Sequence, residues 1–139
     1  NGEFDVIVIV NSILSEEDKE NRKILHSCFN SLKPGGALVG FFPTIFCAVE
    51  IAYLDKNDWL ESIDINKSSF YEEKQGVWQI FYTPLRLKYI VKEAGFLLEK
   101  MEIFFCDSPY FAKHSKEYYG LDDPDLSIYE HFLIARKQV

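Results

Sequence analysis

FDVIVIVNSILSEEDKENRKILHSCFNSLKPGGALVGFFPT, residues 4–44, decides the fold class. Asp5 is followed by an unbroken β-branched run, Val6 to Val10. A strand apolar on both faces is what a parallel sheet covered by helices on each side requires, so the run predicts a central strand of an α/β layer. Ser15 and Asp18 then read as a helix start, with a hydroxyl acceptor and a carboxylate where the first-turn amides are free and the helix end is positive. The helix extends to about Ser31. Ile24, Leu25, Cys28, Phe29 and Leu32 share one face, and Glu16, Glu17, Lys19, Glu20 and Lys23 are left for water. Leu32-Lys33-Pro34-Gly35-Gly36 ends it, because proline cannot continue a helix and glycine accepts a positive φ, and Ala37 to Phe42 follows as a second strand.

A central strand needs a neighbour on each side. The chain opens at Asn1 and its single methionine is Met101, which predicts a processed or trimmed chain, or a fragment of a longer one. Val6 to Val10 is expected to pair with a strand outside these residues or on another chain, since an exposed apolar edge strand invites aggregation.

At 139 residues the chain has the size of one domain with a sizeable core, and 47% hydrophobic and 16% aromatic residues exclude a disordered tail. A net charge of -7 argues against nucleic-acid binding by general phosphate attraction. Cys28, Cys47 and Cys106 form no CxxC pair and lie in apolar stretches, which predicts reduced core residues of a cytoplasmic protein and no metal site. No 18-residue apolar run or signal-peptide pattern is present, so no membrane association is expected.

Further along, residues 45–54 suggest a helix and residues 68–82 two short strands around Lys74-Gln75-Gly76. Trp59, Phe70, Tyr71, Trp78, Phe81 and Tyr82 make residues 45–82 an aromatic-rich insertion, either a lid over a pocket or a subdomain packing on itself. Thr83-Pro84 is a second helix start, a cap followed by proline at the first helical position. Leu87, Ile90, Val91 and Ala94 form its buried stripe, Gly95 ends it, and Phe96 to Phe105 reads as a strand. Asp107 to Asp125 is expected to project as a loop with at most one helical turn, before a last strand from Ile128 to Ala135.

Strand, helix, LKPGG, strand, insertion, then TPxxLxxIVxEAGF and two strands resembles the C-terminal half of a class I S-adenosylmethionine-dependent methyltransferase domain, over nearly the whole chain. Phe4 to Val8 matches the strand counted fourth in that family, Leu32 to Gly36 the approach to the fifth, and Glu93-Ala94-Gly95-Phe96 the approach to the sixth. Tyr129 to Lys137 would be the antiparallel seventh. The resemblance implies a Rossmann-like α/β sheet, here its 4-5-7-6 half with an antiparallel last strand, in a single methyltransferase-like domain. The missing neighbour of Val6 to Val10 is then the family's first strand.

The family's glycine-rich cofactor turn and ribose-binding acid lie upstream of these motifs, and nothing in this sequence matches them. Gly35-Gly36 precedes a strand instead of following one and is read as a turn. The resemblance implies methyl transfer from S-adenosylmethionine to a small-molecule acceptor, with this chain supplying mainly the substrate side. Asn11 and Ser12, after the first strand, are the expected cofactor contacts; Pro43, Thr44 and Tyr82 are the expected substrate contacts. A hydroxyl acceptor would need a base, for which His114 and Tyr118 are the candidates. Asn11 also has a purely local reading, as strand end and helix precap. His26 and His131 are read as structural, and Asp122, Asp123 and Asp125 as a solvated turn, not a cation site. Two other readings stand beside the enzyme: a catalytically inactive methyltransferase-like binding or scaffold module, and a nicotinamide-binding α/β protein, which the reversed last strand disfavours.

Overall fold

The computed structural model describes residues 2–54, 61–105, 109–122 and 129–139. The β-branched run forms β1, Phe4–Val10, followed by α1, Asp18–Ser31, and β2, Leu32–Pro43. Next come α2, Ile45–Leu54, and three short strands, β3 at Ile63–Asp64, β4 at Ser69–Glu72 and β5 at Val77–Ile80. The chain closes with α3, Pro84–Glu93, β6, Phe96–Phe105, α4, Pro109–Tyr119, and β7, Tyr129–Lys137.

The main sheet has the order β1-β2-β7-β6. β1 and β2 are parallel, and β7 runs antiparallel to both β2 and β6. This is an α/β fold with a mixed sheet.

Its core lies on the face covered by α1 and α3. Leu25 and Leu32 meet Leu38 of β2, Leu87 and Val91 of α3, and Leu133 and Ala135 of β7, all fully buried. Alternation along a strand sends every second side chain to the other face. Val6, Val8 and Val10 point there, at 54%, 60% and 56% exposure, while Ile9 between them is buried. Among the described residues β1 is therefore an edge strand covered on one face only.

Helix α3 follows its expected signals closely. Thr83 Oγ1 accepts from the Arg86 amide at 3.4 Å, Pro84 is the first helical residue, and Leu87, Ile90, Val91 and Ala94 are all buried. Gly95 takes φ +100° with the Phe29 ring 3.0 Å from where a Cβ would stand.

Four expectations need correction. α1 begins at Asp18, with Glu17 as a cap residue that makes no side-chain cap bond; Ser15 Oγ instead accepts from the Glu17 amide at 3.2 Å. Fully buried Asn21 takes over the work of fixing the incoming chain, accepting from the Ser15 amide and donating to the Ser15 carbonyl. Ile24 is exposed, not part of the buried stripe. β2 starts at Leu32, because LKPGG is drawn into the strand, with Gly35 at φ +79° and its carbonyl accepting from Arg136. Within 107–125, residues 109–119 form helix α4 in place of the expected loop.

The segment between β2 and α3 forms its own three-stranded sheet, β3-β4-β5. Ala48, Phe70 and Phe81 pack there with Ile45 and Ile63 as a second apolar cluster. Trp59 and Cys106 lie outside the described residues. Among the described residues, no helix is long and apolar enough to cross a membrane.

Candidate functional site

The carboxyl ends of β1 and β2 meet the amino end of β7. Asn11 adopts φ +47°, a left-handed conformation that asparagine tolerates better than most residues. Its amide still donates to the Phe41 carbonyl at 3.1 Å, so the β1 to β2 ladder continues to this residue. Asn11 Nδ2 donates to Glu130 Oε1 at 2.6 Å. Glu130 is buried at 7% exposure and pairs in register with Pro43, two residues beyond the Phe41 that pairs with Val10, so the Asn11 side chain reaches across β2 to meet it. Ser12 is exposed, and its hydroxyl donates to the Val10 carbonyl at 2.8 Å.

Thr44 follows Pro43 and is buried at 2% exposure. Its hydroxyl donates to the Tyr129 carbonyl at 2.9 Å and accepts from the Cys47 amide at 3.2 Å, which ties the first turn of α2 to β7. That oxygen is committed to structure, and Thr44 offers a cavity mainly its methyl surface.

A cavity of about 340 Å³ lies on the opposite side of β7 from Glu130. Thr44, Phe46, Phe81 and Tyr82 form one wall, and Met101, Ile103, Tyr129 and His131 another. Pro84 and Lys88 contribute from α3. The lining is largely apolar and aromatic, with Lys88, Glu102 and His131 as its ionisable members beside the tyrosines. His131 is 8% exposed, and burial pushes its pKa below the ordinary 6.5, so the ring is neutral at neutral pH.

Tyr82 presents its ring to this cavity, but its hydroxyl donates to Asp18 Oδ1 at 2.9 Å. Burial first, and then that carboxylate, push the phenol well above its usual range. For Asp18, burial acts to raise the carboxyl, but hydrogen bonds from Arg22 and Tyr82 and the charges of Arg22 and Arg86 outweigh it and hold the pKa below 3.8. A phenol kept protonated in this way can orient or pack; it makes a poor base.

The expected site residues thus divide between two faces. Thr44 and Tyr82 share the cavity, whereas Asn11 contacts Glu130 on the other side of β7. His114 falls on α4, and its side chain lies outside the described residues. Tyr118, on the same helix, is exposed at 43%. Asp122 pairs with Lys116 at 2.7 Å, while Asp123 and Asp125 lie outside the described residues. Among the described residues, no three His, Cys, Asp or Glu side chains come together as a metal site. Glu130 and His131 were not foreseen as site residues. Their signal in the sequence was adjacent polar residues in an otherwise apolar strand, which places one on each face of the sheet.

The fold is that of the S-adenosylmethionine-dependent methyltransferases. A methyltransferase of this kind from Methanosarcina mazei superposes with a TM-score of 0.67 at 16% identity, over 98% of this chain and 60% of that one. Another, from Mesorhizobium loti, gives 0.58 at 16% identity, over 97% and 62%. The [4+2]-cyclase SpnF gives 0.58 at 17% identity, over 99% and 51%. The chain therefore spans between half and two thirds of the length of these neighbours. No protein-family model matches the chain, and no curated protein does.

Proposed function

We propose that this chain is the acceptor side of an S-adenosylmethionine-dependent methyltransferase acting on a small molecule. The observation that carries the reading is the order β1-β2-β7-β6 with β7 reversed, in a chain that superposes on methyltransferases along nearly all of its length. In this reading the four strands correspond to the family's fourth, fifth, seventh and sixth, and the chain is the C-terminal part of one domain with an insertion at residues 45–82. The bare face and free edge of β1 then meet upstream sequence or a second chain, which brings the glycine turn.

The described residues suit only one end of the cofactor. Gly35 lies toward the amino end of β2 and no glycine turn follows β1, so the adenosine end has no cradle among the described residues; in this reading Asn11 and Ser12 take the methionine end. When bound, S-adenosylmethionine supplies an electrophilic methyl group, whose in-line transfer depends on orientation and desolvation. Asn11 orients a donor group at the carboxyl end of β1. Thr44 and Tyr82 help wall a largely aromatic cavity that suits an apolar or planar acceptor. His114 or Tyr118 takes the proton if the acceptor is a hydroxyl. Pro43 holds the strand end against Glu130.

Calorimetry of the complete protein with S-adenosylmethionine tests this. Micromolar to millimolar binding is expected, and absence of heat at millimolar cofactor overturns it. A second reading, a module of this fold without methyl transfer, is supported by the likeness to a cyclase. A degenerate glycine turn upstream, with no acid ending the second strand, would favour it.

A further inference from the structure

We propose that Glu130 is a positioning residue that fixes which end of the Asn11 side-chain amide faces the ligand. The proposal rests on the placement of Asn11 in the cofactor and acceptor region. An asparagine amide has a donor end and an acceptor end of nearly equal shape, and rotation by half a turn exchanges them. A carboxylate oxygen removes that ambiguity, because it accepts and has no proton to offer. With Glu130 Oε1 at 2.6 Å, the NH2 end is committed to β7, which leaves Oδ1 as the end of the amide not taken up by Glu130. No described residue donates to that oxygen. The site therefore presents an acceptor, and the ligand group it meets is a hydrogen-bond donor.

Two further features fit a positioning role. Glu130 is a buried carboxylate whose hydrogen-bond partner among the described residues is Asn11, an expensive arrangement to keep without a purpose. Its backbone is held on both sides, paired to Pro43 and to Phe104, so the side chain starts from a fixed point. Asn11 is likewise pinned, by its amide bond to Phe41 and its left-handed backbone.

The test is an exchange of donor and acceptor. Glu130→Gln leaves the Asn11 amide free to turn either way, and Asn11→Asp sets two carboxylates against each other. The double variant Asn11→Asp/Glu130→Gln restores one donor and one acceptor in the pair, again with an acceptor oxygen not taken up by it. Calorimetry of the complete protein with S-adenosylmethionine is expected to show about tenfold weaker binding for each single variant, the scale of one charge-assisted hydrogen bond. The double variant is expected to recover to within about threefold of the parent, as a restored pair should in a double-mutant cycle. Singles that bind normally, a double that fails to recover, or losses that merely track the thermal midpoint overturn the proposal.

If the parent binds no S-adenosylmethionine, the methyltransferase reading fails, and the positioning claim is decided without ligand. In 15N NMR the Asn11 side-chain protons should be shifted and slow to exchange, and Glu130→Gln should move them. Random-coil shifts in both proteins overturn it.

Discussion

Tyr82 donates its hydroxyl hydrogen to Asp18 across 2.9 Å, joining the chain two residues ahead of α3 to the first turn of α1. The carboxylate at that end is also held by Arg22 and by Arg86, with Arg22 reaching on to Glu93 of α3. One aspartate thereby fastens together the two helices that cover the main core. Tyr82→Phe keeps the ring in the cavity wall and removes only this bond. It is expected to cost about 1–2 kcal/mol in urea unfolding, the scale of a hydrogen bond to a partly screened charged group. An unchanged midpoint would show that Arg22 and Arg86 suffice.

His131 sets a pH dependence. Its folded pKa is lowered by burial, so the unfolded chain binds more protons than the folded one between that lowered value and 6.5. Its contribution is complete above about pH 6.5 and declines as pH falls through that window. Thermal midpoints from pH 8 to pH 5 are expected to fall less steeply in His131→Asn than in the parent; parallel curves would contradict the assignment.

The signals for β1, β2, α3 and β6 were legible because each rested on local chemistry: an apolar run, a Pro-Gly stop, a threonine cap, a glycine end. The start of α1 was missed because the residue that secures it, Asn21, acts from inside the helix on Ser15. α4 was missed for a different reason. Pro109 sits at its first position, a valid helix signal, but the surrounding Asp, Gly and Pro residues carry the chemistry of a loop and mask it. The link from Asn11 to Glu130 could not be read locally, since it spans almost the whole chain and depends on β7 returning beside β2.

Gly95 offers a direct check on α3 and β6. At φ +100°, with Phe29 ring carbons 3.0 Å from the Cβ position, any side chain is strained and crowded. Gly95→Ala is expected to destabilise by about 1–3 kcal/mol. Adding Phe29→Leu should recover little, since the backbone strain remains.

The bare apolar face of β1 predicts self-association. Residues 1–139 alone should show concentration-dependent growth in light scattering, and Val8→Lys should reduce it by placing a charge at the middle of the patch. A monodisperse monomer of the parent would count against a missing partner for this strand.

The reversed strand also governs when the molecule can become itself. Ala37 pairs with Arg136 and Phe42 with His131, so β2 waits for a segment roughly a hundred residues later, a separation that slows folding. Until β7 emerges from the ribosome, β2 and β6 have no strand between them, and a nascent chain carries a β1-β2 pair and a β6 segment with nothing to join it. A premature stop before Tyr129 would therefore remove the middle of the sheet, leaving a product for the degradation machinery instead of a shortened protein.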